Sequence, residues 1–364
     1  MAACISCGRC DADCPASITL KEIAEAMQRP VTTGSWRSRL LHRLFLAPTP
    51  RAGTLWGVAA LQHAMRPLSR LVAGSAPRSL VAYAALPAPG WHRYPRSGRS
   101  VAGVTSDLTL VGDTRLFAIG GEVLVRFKGC VGTVGQADAS LHEDAFFRAA
   151  GIPFLDFSPD MCCGFPFTAS GDLEAARARR SELLRRICAA ARAACGEYGV
   201  PRAVIMSSCP TCQESLRMAQ TEAGGSKELL VVADPAEYVV KRTADRVQRQ
   251  GPGETIGLKV PCHATPQAAS SQMRLLAECG YDPVRLDQCC GMAGIGRIEH
   301  PDVGLMLAER LSGAIRAACI RRVVSGCPSC RDGLRLQSTL ERADLEVTDL
   351  FCLLRQGSID VVAS

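Results

Sequence analysis

No run of apolar residues in this chain approaches the ~18 that a membrane-crossing helix requires, so any contact with a bilayer is peripheral. Four cysteines fall within the first fourteen positions. They leave no room ahead of them for the basic and apolar regions of a secretory signal, which makes the cytoplasm, or the inner face of its membrane, the expected location. No Gly-x-Gly-x-x-Gly turn opens a helix; Gly294-Ile295-Gly296 is not such a fingerprint, and no NAD or flavin is expected on this chain itself. Lysine, aspartate and glutamate are all missing from Val31 to Ser100, where ten arginines stand instead. That segment carries +10, so the net charge of +7 is local and the rest of the chain sums to −3. Aromatic residues are scarce at 5%, with 3 Trp and 5 Tyr, whereas cysteine is in large excess at 19.

With 364 residues, 47% of them apolar and 21% charged, the chain has the composition and length for two or three globular domains. In a reducing compartment, thiols at this density argue for metal or redox chemistry rather than a disulfide framework. The Arg-rich segment is broken by Pro48, Pro50, Pro67, Pro77, Pro87, Pro89 and Pro95, with short helical pieces at Trp36 to Leu46 and Leu55 to Arg66. It reads as a helical linker. Its arginines beside Trp36, Leu40, Leu44 and Trp56 make a cationic face suited to anionic lipid or an acidic partner, and the plainer alternative is a solvated linker. No nucleic-acid-binding motif accompanies the charge, so nucleic acid is not expected.

Past Ser100, β-rich runs alternate with helical patterns. The series is Val123 to Phe127, a helix near Ala137 to Ala150, Ile152 to Phe157, a helix near Asp172 to Cys195, and Ala203 to Ser207. The same order recurs at Gly257 to Val260, Gln267 to Cys279, Val284 to Leu286, Asp302 to Cys319 and Arg322 to Ser325. This alternation predicts an α/β fold of two units with parallel sheets. The domains expected are 1–30, the linker 31–107, and two repeated units, 108–250 and 251–364.

The cysteines make the repeat explicit. The first unit has Cys130, then Cys162-Cys163-Gly164, then Cys209-Pro210-Thr211-Cys212; the second has Cys262, then Cys289-Cys290-Gly291, then Cys327-Pro328-Ser329-Cys330. Each set follows the C-terminal end of a predicted strand, the ligand edge of an open parallel sheet. A structural zinc is satisfied by four ligands, so five thiols leave one unused. Neighbouring cysteines diverge from an extended backbone, which suits a polynuclear iron-sulfur cluster better than a single ion. Pro210 and Pro328 are expected to stiffen the C-x2-C loops. Independently, Cys4-x2-Cys7-x2-Cys10-x3-Cys14-Pro15 is a ferredoxin run for a [4Fe-4S] cluster, although in two-cluster ferredoxins its fourth cysteine serves the other cluster.

The run CISCGRCDADCP followed by two units, FKGC…MCCGFPF…SSCPTC and VPCHAT…QCCGMAG…SGCPSC, resembles the cysteine-rich (CCG) iron-sulfur proteins. That family includes heterodisulfide reductase B and D subunits and the iron-sulfur subunits of glycolate oxidase and anaerobic glycerol-3-phosphate dehydrogenase. The resemblance implies two α/β domains related by a pseudo-twofold, each with a five-cysteine set able to hold a noncubane [4Fe-4S] cluster, zinc being the alternative at one unit. The chain departs from the family pattern in lacking a second ferredoxin motif. The two units also differ in spacing: 45 residues separate Cys163 from Cys209 but 36 separate Cys290 from Cys327, and 31 lie between Cys130 and Cys162 against 26 between Cys262 and Cys289.

Of the other cysteines, Cys188, Cys195, Cys279, Cys319 and Cys352 are expected in the core. His263, beside Cys262, is expected to support or tune a metal, and no role is assigned to His142 or His300. Two functions compete. One is an electron-transfer subunit taking electrons from a flavoprotein dehydrogenase that oxidises a 2-hydroxy acid or similar substrate, or from a ferredoxin-type subunit, to quinone or another acceptor. The other is a disulfide reductase with Cys162, Cys163, Cys289 and Cys290 at the reacting centre. A zinc-stabilised scaffold is the third, non-redox reading.

Overall fold

The structure, a computed structural model, describes residues 99–100, 108–112, 121–157, 161–169, 171–224, 230–243, 253–292 and 301–356. The run Cys4, Cys7, Cys10 and Cys14, the Arg-rich segment up to residue 98, and Gly294 to Gly296 lie outside the described residues.

The first unit is built on β3 (Glu122–Phe127), α1 (Ala137–Ala149), β4 (Phe154–Phe157), α2 (Phe165–Ala169), α3 (Leu173–Tyr198), β5 (Arg202–Met206), α4 (Pro210–Glu222), β6 (Leu230–Ala233) and α5 (Pro235–Thr243). The second unit repeats the plan with β7 (Thr255–Lys259), α6 (Pro266–Glu278), β8 (Asp282–Leu286), α7 (Pro301–Ala317), β9 (Arg322–Val324), α8 (Pro328–Glu341), β10 (Glu346–Thr348) and α9 (Leu350–Gln356). The parallel strands run β4-β3-β5-β6 in one sheet and β8-β7-β9-β10 in the other, so the two topologies are the same. The first sheet is extended antiparallel by β2 (Leu108–Val111) and then β1 (Arg99–Ser100), the latter drawn from the segment read as linker.

Helices cover both faces of each sheet, which is why the central strand β3 is buried at every position rather than at alternate ones. The helices begin and end on recognisable signals. Asp172 caps α3 by accepting from the Ala175 amide at 3.1 Å, Gly199 closes that helix with φ 63°, and Thr265 caps α6 by accepting from the Ala268 amide at 3.1 Å. The nine-residue excess between Cys163 and Cys209 matches the length of α3, 26 residues against 17 in α7. In the first unit a π-helical turn, Val131–Gly135, fills the longer path from Cys130 to α1.

Each unit has an outer core of its own, but the inner core is common to both. Leu124, Phe146, Phe147 and Met206 of the first pack in one cluster with Ile256, Leu258, Leu350, Phe351 and Leu354 of the second. The rings of Phe147 and Phe351 stand 5.8 Å apart. Contacts across the junction are reciprocal: α1 packs on α9, and the equivalent pair α6 and α5 pack together. Each fully buried Phe or Leu in this layer contributes about 1.5–3 kcal/mol, so the layer fixes the units relative to one another.

Candidate metal centre

Every cysteine of the two repeated sets follows its strand by a few residues, at the carboxyl edge of the sheet. Pro210 and Pro328, expected from sequence to stiffen loops, instead occupy the first turns of α4 and α8, where a missing N–H costs nothing. The C-x2-C pairs therefore straddle helix N-termini, with Cys209 and Cys327 as the capping residues and Cys212 and Cys330 one turn inside. Both loops are tied down alike. The Ser207 and Ser325 hydroxyls accept from the amides of Cys209 and Cys327 at 3.4 and 3.3 Å. Gln213 and Arg331 each donate to the carbonyl of the preceding serine, at 2.6 Å in both units. The glycines of the CCG triplets have positive φ, 86° at Gly164 and 72° at Gly291. A Cβ on Gly291 would overlap the Gly304 carbonyl oxygen, and one on Gly164 would press on the Ala176 carbonyl at 3.0 Å.

The thiols meet in the same order in each unit. In the first, Cys130 touches Cys162, Cys162 touches Cys163, Cys163 touches Cys212, and Cys212 touches Cys209. In the second the series is Cys262, Cys289, Cys290, Cys330 and Cys327. All are free thiols. Neighbouring thiols hold Cys162 (Cys130 first, then Cys163) and Cys290 (Cys289 first, then Cys330) well below the ordinary cysteine range. Cys212 pulls Cys209 down to about 7. Burial opposes the charge on Lys259, yet Cys330, Cys262, Cys290 and Cys289 hold its ammonium above the ordinary lysine value.

All ten cysteines line one cavity of about 140 Å³. Phe165, Pro166 and Pro261 give it an apolar wall, and Thr211 and His263 bring polar groups to it. His263 reaches across the junction, its Nδ1 3.4 Å from the Thr211 hydroxyl and its ring 4.6 Å from that of Phe165. The two sets are close enough that Cys209 raises the pKa of Cys327 against the lowering by Cys330.

The donor set fits an iron-sulfur group. Five contiguous soft thiols per unit exceed what one tetrahedral ion uses, and a buried ammonium sits beside the second set to balance thiolate charge. Residues that would hold such a group are Cys130, Cys162, Cys163, Cys209 and Cys212, and Cys262, Cys289, Cys290, Cys327 and Cys330. Of the remaining cysteines, Cys195 and Cys279 are buried and Cys188 and Cys352 half-buried, but Cys319 is exposed, contrary to expectation. The helix stops at Ala317, and Cys319 turns the chain with φ 53°, outside the core. His142, assigned no role from sequence, pairs with Asp349 across the junction at 2.7 Å, and that contact raises its pKa.

Among the described residues no helix is long and apolar enough to cross a membrane. The chain is similar, at 23% identity over 243 residues, to the component designated B of fumarate reductase (CoM/CoB) from Methanothermobacter marburgensis. The match covers 64% of this chain and 46% of that protein, so the chain spans under half the length of its relative. The CCG cysteine-rich domain family matches twice, at residues 124–217 and 257–335, in register with the two units. The chain thus carries two CCG cysteine-rich domains, one in each unit.

Proposed function

We propose that this chain is an iron-sulfur subunit of a multi-subunit oxidoreductase, in which both five-cysteine sets hold polynuclear clusters and the pocket between them is where a disulfide is reduced. The observation that carries this reading is the convergence of all ten thiols on one cavity. A subunit that only relayed electrons has no need for two ligand sets to share an open space. The similarity to part of a reductase supports the redox role.

When bound, such clusters supply one-electron transfer at thiolate-ligated iron. The chain's own residues do the rest. Cys162, Cys163, Cys289 and Cys290 bring the inner thiols of the two sets to the pocket, Phe165, Pro166 and Pro261 limit water, and His263 and Thr211 offer polar atoms for a bound sulfur compound. The Cys4 to Cys14 run is the candidate entry point for electrons from a flavoprotein or ferredoxin-type partner.

A second reading, electron transfer to quinone at a membrane surface, is favoured by the ten arginines and absent acidic residues between Val31 and Ser100. Anaerobically purified protein separates the readings. Iron and acid-labile sulfide in excess of zinc, with oxidation of the reduced protein by a small organic disulfide that disappears in Cys290→Ser, supports the first. Quinone reduction with no response to disulfides supports the second. A colourless, zinc-only preparation after reconstitution would remove both.

A further inference from the structure

Behind the cysteine pocket, between the two units, lies a second cavity of about 40 Å³, more than the ~10–15 Å³ that one water needs. Lys128, Cys209 and Pro328 line both spaces, so the two share walls. Glu143, on α1, stands in this second cavity and is only 3% exposed. Its Oε2 accepts from the Ser208 hydroxyl at 2.8 Å, one residue from Cys209, while its buried Oε1 has no hydrogen-bond partner. Asp234 and Arg331 also line the cavity, and the charged groups nearest Glu143 are Arg126 of β3 at 3.7 Å, Lys128 beyond the end of β3, and Asp156 of β4. The two cations are already engaged, Arg126 by Asp144 and Asp156, Lys128 by Asp156. Burial accordingly raises the pKa of Glu143 in spite of Arg126. Asp349 lines the same cavity and pairs with His142, whose side chain is 29% exposed.

We propose that Glu143 is the proton acceptor coupled to reduction of the ten-cysteine site. When one electron enters, the Glu143 carboxylate binds one proton, drawn from solvent by way of the His142–Asp349 pair and the cavity; on reoxidation the O–H bond breaks and the proton leaves by the same route. The electron comes from the reductant and the proton from water, so the buried region keeps its net charge. An added negative charge nearby favours the protonated carboxyl, the ordinary consequence of a like charge in a poorly solvated site. This inference rests on the reading that the cysteine sets hold iron-sulfur clusters. The chain carries its own contrast: the equivalent position on α6 is Gln272, and the counterpart of Ser208 is Gly326, so the second unit has neither the acid nor the hydroxyl.

The test is a dithionite titration of the full-length, anaerobically reconstituted protein from pH 6 to 9, reading the midpoint potential by EPR and visible absorbance. In the wild type the potential falls as pH rises. Glu143→Gln is expected to flatten that dependence with the clusters intact, and Glu143→Asp to restore it in part. Ser208→Ala, which removes a hydrogen bond to the ionised carboxylate, is expected to move the dependence to higher pH. A pH-independent wild-type potential, or a Glu143→Gln protein that keeps the wild-type slope, overturns the proposal. Should Glu143→Gln fail to fold, an unchanged pH window in Ser208→Ala overturns it instead. A wild-type protein that loads no iron sinks the cluster reading itself and the inference with it, so the two failures are told apart.

Discussion

The two units share a strand order, a thiol order and the serine that braces each C-x2-C turn, yet their interiors differ in charge. In the first, Arg126 is buried with Asp144, Asp156 and Glu143 around it. Strand pairing aligns Arg126 with Met206 and Leu258 with Val324, which makes Leu258 the counterpart of Arg126. Helix position likewise matches Asp144 to Met273 and Glu143 to Gln272. The second unit thus builds the same scaffold from an apolar pair and a neutral amide. The lesson is that the fold does not require the buried charges. A buried ion cluster is weak support for stability in any case, because desolvation offsets most of its attraction. Its presence on one side only is what makes Glu143 worth asking about.

Removing a single thiol is the bluntest way to break the comparison. Cys163→Ser and Cys290→Ser should each lose about half of the iron bound to the two domains and leave the other set loaded, because each quintet is assembled within its own unit. Iron and sulfide analysis with EPR checks this, and a variant that loses all of it would show that the sets fill together. Next comes Arg126→Leu, which copies the second unit at one position and strands Asp144 without its cation. It should cost about 3–5 kcal/mol, and adding Asp144→Met should recover part of the loss, because Asp156 and Glu143 lose the same guanidinium. Thermal unfolding of both proteins measures it.

The triplet glycines rank lower. Gly164→Ala should cost about 1–3 kcal/mol for its positive φ, and Gly291→Ala more, since its Cβ also collides with backbone. The smallest effect belongs to His142→Ala. Asp349 raises the His142 pKa, so the stability the pair contributes is fully present below the unfolded value of about 6.5 and fades as pH rises through the folded one. The deficit of the variant, under about 1 kcal/mol, should show in melting temperatures near pH 5.5 and vanish near pH 8.5.

Much of this architecture was legible in the residue pattern. The central strands and long helices announce themselves by period, and the matched cysteines align the halves without any coordinates. The short strands β6 and β10 and the helices α5 and α9 did not stand out, because elements of three to nine residues are too short to establish a period. Yet those helices bear half of the reciprocal packing at the junction. Asp234 and Asp349, each capping the short helix that follows, were a missed repeat signal: both accept from an amide two or three residues on, at 2.8 and 2.9 Å. The polar interior was out of reach for a different reason. Gln136, which donates to Asp332 at 2.8 Å and accepts from Arg331 at 2.7 Å, meets partners almost two hundred positions away, and local pattern does not report such distances.

The inner core shared by the two domains has a consequence for their ancestry. One domain by itself would leave the face bearing Phe146 and Phe147, or Leu350 and Phe351, open to water. What covers that face here is a half-turned version of the same domain, meeting it helix for helix as the isologous surfaces of a symmetric dimer do. The molecule is in effect a homodimer tied into one polypeptide, and the tie leaves its halves free to differ, one carrying an acid where the other carries an amide.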